Sequence, residues 1–213
     1  MSGVTVSADG VVTGNTYDKY GSANPLVRRL MAGFERDLEE LFEAAAPSSV
    51  LDVGCGEGVL VQRWAQRLAE RAPADATRVV GIDLEEESIQ AGWREHTAPN
   101  LSYRVAGAAE LPFGADEFDM ASAIEVLEHV SSPEHTLEQM ARCAQRHLLV
   151  SVPREPLWRM LNMARGAYLR DLGNTPGHLN HWSARAFAAL LARYGEVVAV
   201  RSPFPWTMAL VRL

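Results

Sequence analysis

Lysine is almost absent: Lys19 is the only one, the other basic residues are arginines, and 20 basic against 27 acidic residues leave a formal net charge of −7. That balance works against a broad phosphate-tracking surface, because nonspecific nucleic-acid affinity comes from clustered Lys and Arg. Nucleic acid is therefore not the expected partner. Cysteine is nearly as scarce. Cys55 and Cys143 can build no disulfide framework and no Cys-x-x-Cys pair, so any metal has to be held by His and carboxylate. No apolar run approaches the roughly 20 residues of a membrane span, and the polar start MSGVTVSADG lacks the apolar core of a signal peptide; a cytoplasmic location is expected. Internal repeats and low-complexity tracts are also missing. With 213 residues, 47% of them hydrophobic, the chain has enough apolar material for one core, which predicts a single domain, 1–213.

What is present is an alternation. The first ten or so residues look too small and polar to be ordered. From Asn24-Pro25 onward, Leu26, Leu30, Phe34, Leu38 and Leu41 recur at helical spacing. Strand-like runs follow at residues 50–53, 78–84, 101–105, 118–124 and 147–152, apolar enough to be buried on both faces. Leu60, Trp64 and Leu68 mark a helix after the first run, and Ser132-Pro133 offers a hydroxyl cap with proline at the first helical position. The pattern predicts an α/β fold: a Rossmann-like doubly wound sheet, mostly parallel, with helices on both faces. A helix over 184–194, a strand over 196–201 and a last strand ending at 213 predict an antiparallel C-terminal hairpin at the sheet edge. Ligands of such sheets bind at the carboxyl ends of the strands, near the topological switch point.

At the end of the first strand lies Gly54-Cys55-Gly56-Glu57-Gly58. A dinucleotide fingerprint needs its third glycine at 59, where this chain has valine. Asp52, just before the turn, would repel a phosphate and favour a cationic ligand. A nucleoside with a positive group fits this turn better than a pyrophosphate.

VLDVGCGEG (50–58), VVGIDL (79–84), ELPF (110–113), EFD (117–119) and EVLEHV (125–130) stand in order at successive strand ends. Through them the chain, from about Tyr17 to the C-terminus, resembles the class I S-adenosylmethionine-dependent methyltransferases. The resemblance implies S-adenosyl-L-methionine as cofactor, with Asp52, Gly54, Cys55, Gly56 and Gly58 bringing the turn close to it. It implies that Asp83, followed by Leu84, binds both ribose hydroxyls, and that Gly107 and Ala108 border the adenine. Many relatives carry Asp where this chain has Gly107, so adenine recognition falls to backbone or to Glu110. Tyr17, in the segment 16–20, is expected to close over the cofactor.

Methyl transfer from a sulfonium is an in-line displacement, so the enzyme has to position the acceptor and make it nucleophilic. A hydroxyl acceptor must lose a proton, for which a base or a metal is useful. Glu125, Glu128 and His129 follow the fourth strand, and His178 and His181 lie in a glycine-marked loop further on. Glu-x-x-Glu-His with a distant His resembles the ubiquinone-biosynthesis O-methyltransferases and the small-RNA 3′-terminal 2′-O-methyltransferases, whose acceptors carry adjacent hydroxyls. That resemblance implies Mg²⁺ or another divalent ion held by Glu125, Glu128, His129 and His181. His181 is preferred to His178 because Trp182-Ser183 should begin the next helix and fix its position. A metal-free site, with His129 as general base and Glu128 orienting it, and the polar start of a surface helix are the other readings.

Residues 153–166 mix Arg with Trp, Leu and Met. They read as a helix packed on the core, as a lid whose Trp158, Met160 and Met163 line an aromatic acceptor pocket, or as a peripheral contact in which Arg154, Arg159 and Arg165 dock on anionic lipid. The expected organisation is an N-terminal cap segment and helix (1–45), a cofactor-binding core (46–152), a lid and acceptor segment (153–183), and a helix with the C-terminal hairpin (184–213). The expected activity is O-methylation of a small-molecule phenol, catechol or sugar in quinone or secondary-metabolite biosynthesis. Transfer to the terminal ribose of RNA, metal-free transfer to O or N, a cofactor-binding regulator and an NAD-dependent enzyme are the alternatives.

Overall fold

The computed structural model describes residues 5–6, 12–13 and 24–213; the expectation for Tyr17 lies outside them. A short antiparallel pair, β1 (Thr5–Val6) and β2 (Val12–Thr13), stands where the sequence predicts no structure. Helix α1 (Pro25–Ala45) then starts as its sequence requires: Pro25 occupies the first turn and the Asn24 side chain accepts from the Leu26 N–H at 2.9 Å. Phe34, Leu38 and Leu41 are buried, whereas Leu26 in the first turn is 64% exposed.

The main sheet comprises β3 (Ser49–Val53), β4 (Arg78–Asp83), β5 (Leu101–Val105), β6 (Phe118–Ile124), β7 (Ala144–Pro153), β8 (Glu196–Arg201) and β9 (Trp206–Arg212). Their order across it is β5-β4-β3-β6-β7-β9-β8. The first five of these neighbours run parallel; β9 is antiparallel to both β7 and β8. The sheet is therefore mostly parallel and ends in the C-terminal hairpin. β5 departs from the expected two-sided burial: as an edge strand it leaves Ser102, Arg104 and Val105 exposed.

Side chains alternate between the two faces, as pleating demands. Val50 joins Phe34, Leu41 and Phe42 of α1 and Trp64 of α2 (Val59–Arg71), while Leu51 and Val53 turn to the other face, with Leu137 and Met140 of α4 (Pro133–Cys143) and Phe187 of α6 (Ala184–Leu191). Trp64 stacks on Phe42 at 4.8 Å. Each such fully buried side chain stabilises the fold by about 1.5–3 kcal/mol. The remaining helices are α3 (Glu87–Glu95), after β4, and α5 (Leu157–Ala164), after β7.

The chain moves outward from β3 to β4 and β5, then returns to the other side of β3 for β6 and β7. The topological switch point therefore lies between β3 and β6. The loop after β3 is the glycine turn, and the loop after β6 is EVLEHV. The two touch: Gly54 has φ 77°, and a Cβ added to it would run into Cγ2 of Val126. Only glycine satisfies both demands there. Among the described residues, no helix is long and apolar enough to cross a membrane.

Candidate active site

The glycine turn directs its N–H groups inward. Gly54 and Cys55 both donate to the Ile82 carbonyl, at 2.8 and 3.0 Å, and Gly58 donates to Cys55 at 3.2 Å. The Gly56 N–H donates to Asp83 Oδ2 at 2.7 Å. A phosphate cradle needs such groups aimed outward at the anion, so the conformation agrees with the early third glycine in disfavouring a pyrophosphate. The Cys55 thiol is buried, and burial raises its pKa.

Asp83 ends β4 beside this turn. Its Oδ1 accepts from the Leu84 N–H at 2.7 Å while Oδ2 takes Gly56, which fixes the carboxylate plane and leaves further lone pairs for a ligand. Burial raises its pKa, and the two backbone donors oppose that rise. The Ala106 N–H bonds the Asp83 carbonyl at 3.0 Å, which brings the half-buried Gly107 and Ala108 alongside. Cδ2 of Leu84 lies 3.8 Å from where a Cβ on Gly107 would be. Glu110 is exposed.

Asp52 is placed differently from what its position before the turn implies. It is 1% exposed, with Oδ1 accepting from the Ser122 hydroxyl across the switch point at 2.6 Å. Burial pushes its pKa up to about 7, the Ser122 hydrogen bond pulls against this, and the Asp83 charge adds to it. The charge argument for a cationic ligand is correspondingly weaker, because much of the carboxyl is protonated at neutral pH. The folded value of about 7 lies above the ordinary 3.8, so the folded state keeps a proton that the unfolded state releases between those values. Stability from this group is complete below 3.8 and lost as pH rises to about 7. Urea unfolding of wild type and Asp52→Asn should show it: the wild-type stability relative to the variant falls across that window and levels off above it. A difference that stays flat with pH contradicts the assignment.

The EVLEHV turn begins with strain. Glu125 has φ 61°, a left-handed conformation costing a non-glycine residue about 1–2 kcal/mol. Three hydrogen bonds with Ser151 of β7 hold it. The Glu125 N–H donates to the Ser151 carbonyl and Oγ at 3.2 and 3.1 Å, and the Ser151 hydroxyl donates to Glu125 Oε1 at 2.9 Å.

Glu128, His129 and His178 come together. One ligand atom from each lies within 4.8 Å of the others, with Glu128 2% and His178 8% exposed. The His129 and His178 rings meet edge to face at 4.9 Å, and His129 Nε2 is 3.9 Å from Glu128 Oε1. His129 Nδ1 lies 3.0 Å from the Gly177 carbonyl. A carbonyl can only accept, so Nδ1 is the donor here, and in the neutral ring Nε2 is the nitrogen left with a lone pair, the arrangement of metal-ligating and general-base imidazoles.

The four residues expected from the sequence are thus only partly brought together. His178 stands in the cluster where His181 was expected. His181 is exposed, with Nε2 2.7 Å from Asn174 Oδ1. Glu125 is engaged by Ser151 and is not one of the three clustered groups. The physical reason is the stitching of the 177–180 loop to the turn. Leu179 and Asn180 N–H groups donate to the Glu128 carbonyl at 2.7 and 3.1 Å, and the Asn180 amide donates to the Leu127 and Val130 carbonyls at 3.1 and 2.7 Å. Ser151, Gly177 and Asn180 hold the turn and the loop in this arrangement; of these only Asn180, a polar residue set between two imidazoles, carries a signal in the sequence. Of the expected lid residues, Trp158 stacks on His178 at 6.0 Å, whereas Met160 and Met163 are 57% and 37% exposed.

A family described as methyltransferase domain matches residues 26–199. The chain belongs to that family, whose members of this fold are the class I S-adenosylmethionine-dependent methyltransferases. Among curated proteins it is 36% identical over 104 residues to a ubiquinone biosynthesis O-methyltransferase of Azoarcus sp. (strain BH72), covering 47% of this chain and 41% of that protein. The matched stretch is thus well under half of that relative's length. Among solved structures, a putative S-adenosylmethionine-dependent methyltransferase from Listeria monocytogenes superposes with a TM-score of 0.64 at 17% identity, over 85% of this chain and 96% of the other. Magnesium protoporphyrin IX methyltransferase from Synechocystis PCC 6803 with bound SAH gives 0.62 at 17% identity, over 90% and 89%. At these identities the two structures testify to the fold.

Proposed function

We propose that this chain transfers a methyl group from S-adenosylmethionine to a hydroxyl of a small acceptor carrying a neighbouring oxygen, a catechol or related vicinal diol, with a divalent ion held by Glu128, His129 and His178. The observation that carries the reading is the cluster itself: Glu128 and His129 from the turn after β6, whose Val126 packs on the glycine turn, joined by His178 from the 177–180 loop. The name of the Azoarcus relative supports an O-acceptor.

The cofactor supplies a methyl group already activated on a sulfonium. Asp83, pinned by two backbone donors, presents carboxylate lone pairs suited to a ribose diol. Leu84, Gly107 and Ala108 offer an apolar border for a flat base, and the glycine turn, packed on Val126, holds the cofactor and acceptor sites in fixed relation. Such fixed relation is what an in-line displacement needs. Glu128, His129 and His178 would hold such an ion, and it would supply Lewis acidity that makes an acceptor hydroxyl easier to deprotonate. Two nitrogen donors with one carboxylate suit a borderline ion such as Mn²⁺, Fe²⁺ or Zn²⁺ better than Mg²⁺, which prefers an all-oxygen shell. Within the sequence expectation of Mg²⁺ or another divalent ion, this donor set favours the latter.

A second reading has one specific observation in its favour. With Nδ1 committed to Gly177, His129 Nε2 could take the acceptor proton directly. One assay separates the two: methyl transfer to catechol and to phenol, before and after chelation and after restoring Mn²⁺, Zn²⁺ or Mg²⁺. Activity on catechol that chelation removes and Mn²⁺ or Zn²⁺ restores supports the ion. Activity indifferent to chelation assigns the proton to His129, and methylation confined to amines defeats transfer to oxygen. The net charge of −7 keeps RNA as the disfavoured acceptor.

A further inference from the structure

Helix α5 and the 173–178 loop share a buried polar junction with no counterpart among the sequence motifs. Thr175 Oγ1 accepts from the Trp158 indole N–H at 2.9 Å and from the Asn162 amide at 3.0 Å. Asn162, 3% exposed, also donates to the Gly173 carbonyl at 2.8 Å. Thr175 in turn takes the His178 N–H on its carbonyl at 3.0 Å. Both donors meeting at Thr175 are on α5, and the residue they reach is one turn of chain from a cluster imidazole.

A row of rings follows the same path. Phe34 of α1 meets the buried Trp206 edge to face at 4.9 Å, Trp206 lies 5.9 Å from Trp158, Trp158 stacks on His178 at 6.0 Å, and His178 meets His129 at 4.9 Å. Aromatic rings at such separations attract one another beyond the area they bury. The imidazole of His178 is thus tied to the core through packed rings and to α5 through paired polar groups. A lid swinging away from the loop would have to exchange both hydrogen bonds at Thr175 for water and give up the packing of Trp158 on His178.

We infer that α5 is a fixed strut, and that Trp158, Asn162 and Thr175 are positioning residues that hold His178 against His129 and Glu128. The inference rests on the reading of that cluster as the acceptor site, and its test is arranged to fail separately from that reading. Thr175→Val keeps the side-chain shape and removes the shared acceptor; Thr175→Ser restores it. Proton NMR of the His178 ring, assigned by its loss in His178→Gln, reports placement with no ion or substrate present. Wild type and Thr175→Ser should show the same displacement of the His178 ring protons by the Trp158 and His129 ring currents, and Thr175→Val should lose most of it. Mn²⁺ affinity should then fall by about 10-fold to 100-fold in Thr175→Val alone, as outer supports of metal-ligating histidines do. Unmoved His178 resonances in Thr175→Val overturn the strut. If wild type binds no Mn²⁺ but the resonances still move, the strut stands and the ion assignment falls. Should Thr175→Val not fold, Asn162→Asp, isosteric and without the donor, is judged by the same resonances.

Discussion

Glu128→Gln is expected to lower the rate of methyl transfer by about a hundredfold or more at saturating cofactor and acceptor, with little change in S-adenosylhomocysteine affinity. The substitution keeps the volume of a side chain that is 2% exposed, so the fold has no cavity to answer for. It replaces a carboxyl oxygen by an amide at the point where two imidazoles converge. Whether that oxygen holds an ion or steadies an imidazolium at His129, its charge acts when the acceptor gives up its proton, and losing such assistance costs about 10²–10⁴ in rate. Single-turnover kinetics beside calorimetric titration of the product cofactor check both halves. A variant with wild-type turnover removes Glu128 from the chemistry.

Asp83→Ala should act on the other half of the site, reducing S-adenosylhomocysteine affinity by about a hundredfold or more. Charge-assisted hydrogen bonds of the kind a carboxylate makes to a vicinal diol contribute about 1.5–3 kcal/mol each, and two of them account for that loss. The variant also frees the Gly56 N–H, which now donates to Asp83, and so loosens the turn. Because burial raises the Asp83 pKa, wild-type affinity should also fall on acidification as the carboxylate takes up a proton, while the variant loses this pH dependence. Calorimetry of both proteins over a pH series measures the two effects together; equal affinity at neutral pH would show that Asp83 does not bind the cofactor.

The central strand runs were legible because parallel strands buried on both faces leave an uninterrupted apolar signal, and the glycine turn and Asp83 could be placed because they sit at strand ends. Boundaries set by pairing partners were not. β7 begins at Ala144 rather than at 147 because Ala144 pairs with Phe118 of β6, and that partner is invisible to local pattern. In the site, the sequence supplied the Glu-x-x-Glu-His acids and base but chose His181 over His178. The two are three residues apart in a loop with no periodicity, and contacts spanning 48 to 53 residues decide between them: Gly177 to His129, and Asn180 to Val130 and Leu127. Glu125 shows the same limit. Its carboxyl was evident, but its left-handed backbone and its engagement by Ser151, 26 residues away, arise only once β6 and β7 are paired.

The most direct test of the account is calorimetric titration of Mn²⁺ into chelator-treated protein saturated with S-adenosylhomocysteine, wild type beside His178→Ala and His181→Ala. The structure predicts one site in wild type, retained in His181→Ala and lost in His178→Ala. Binding lost in His181→Ala and kept in His178→Ala, or no binding in wild type at all, would contradict it.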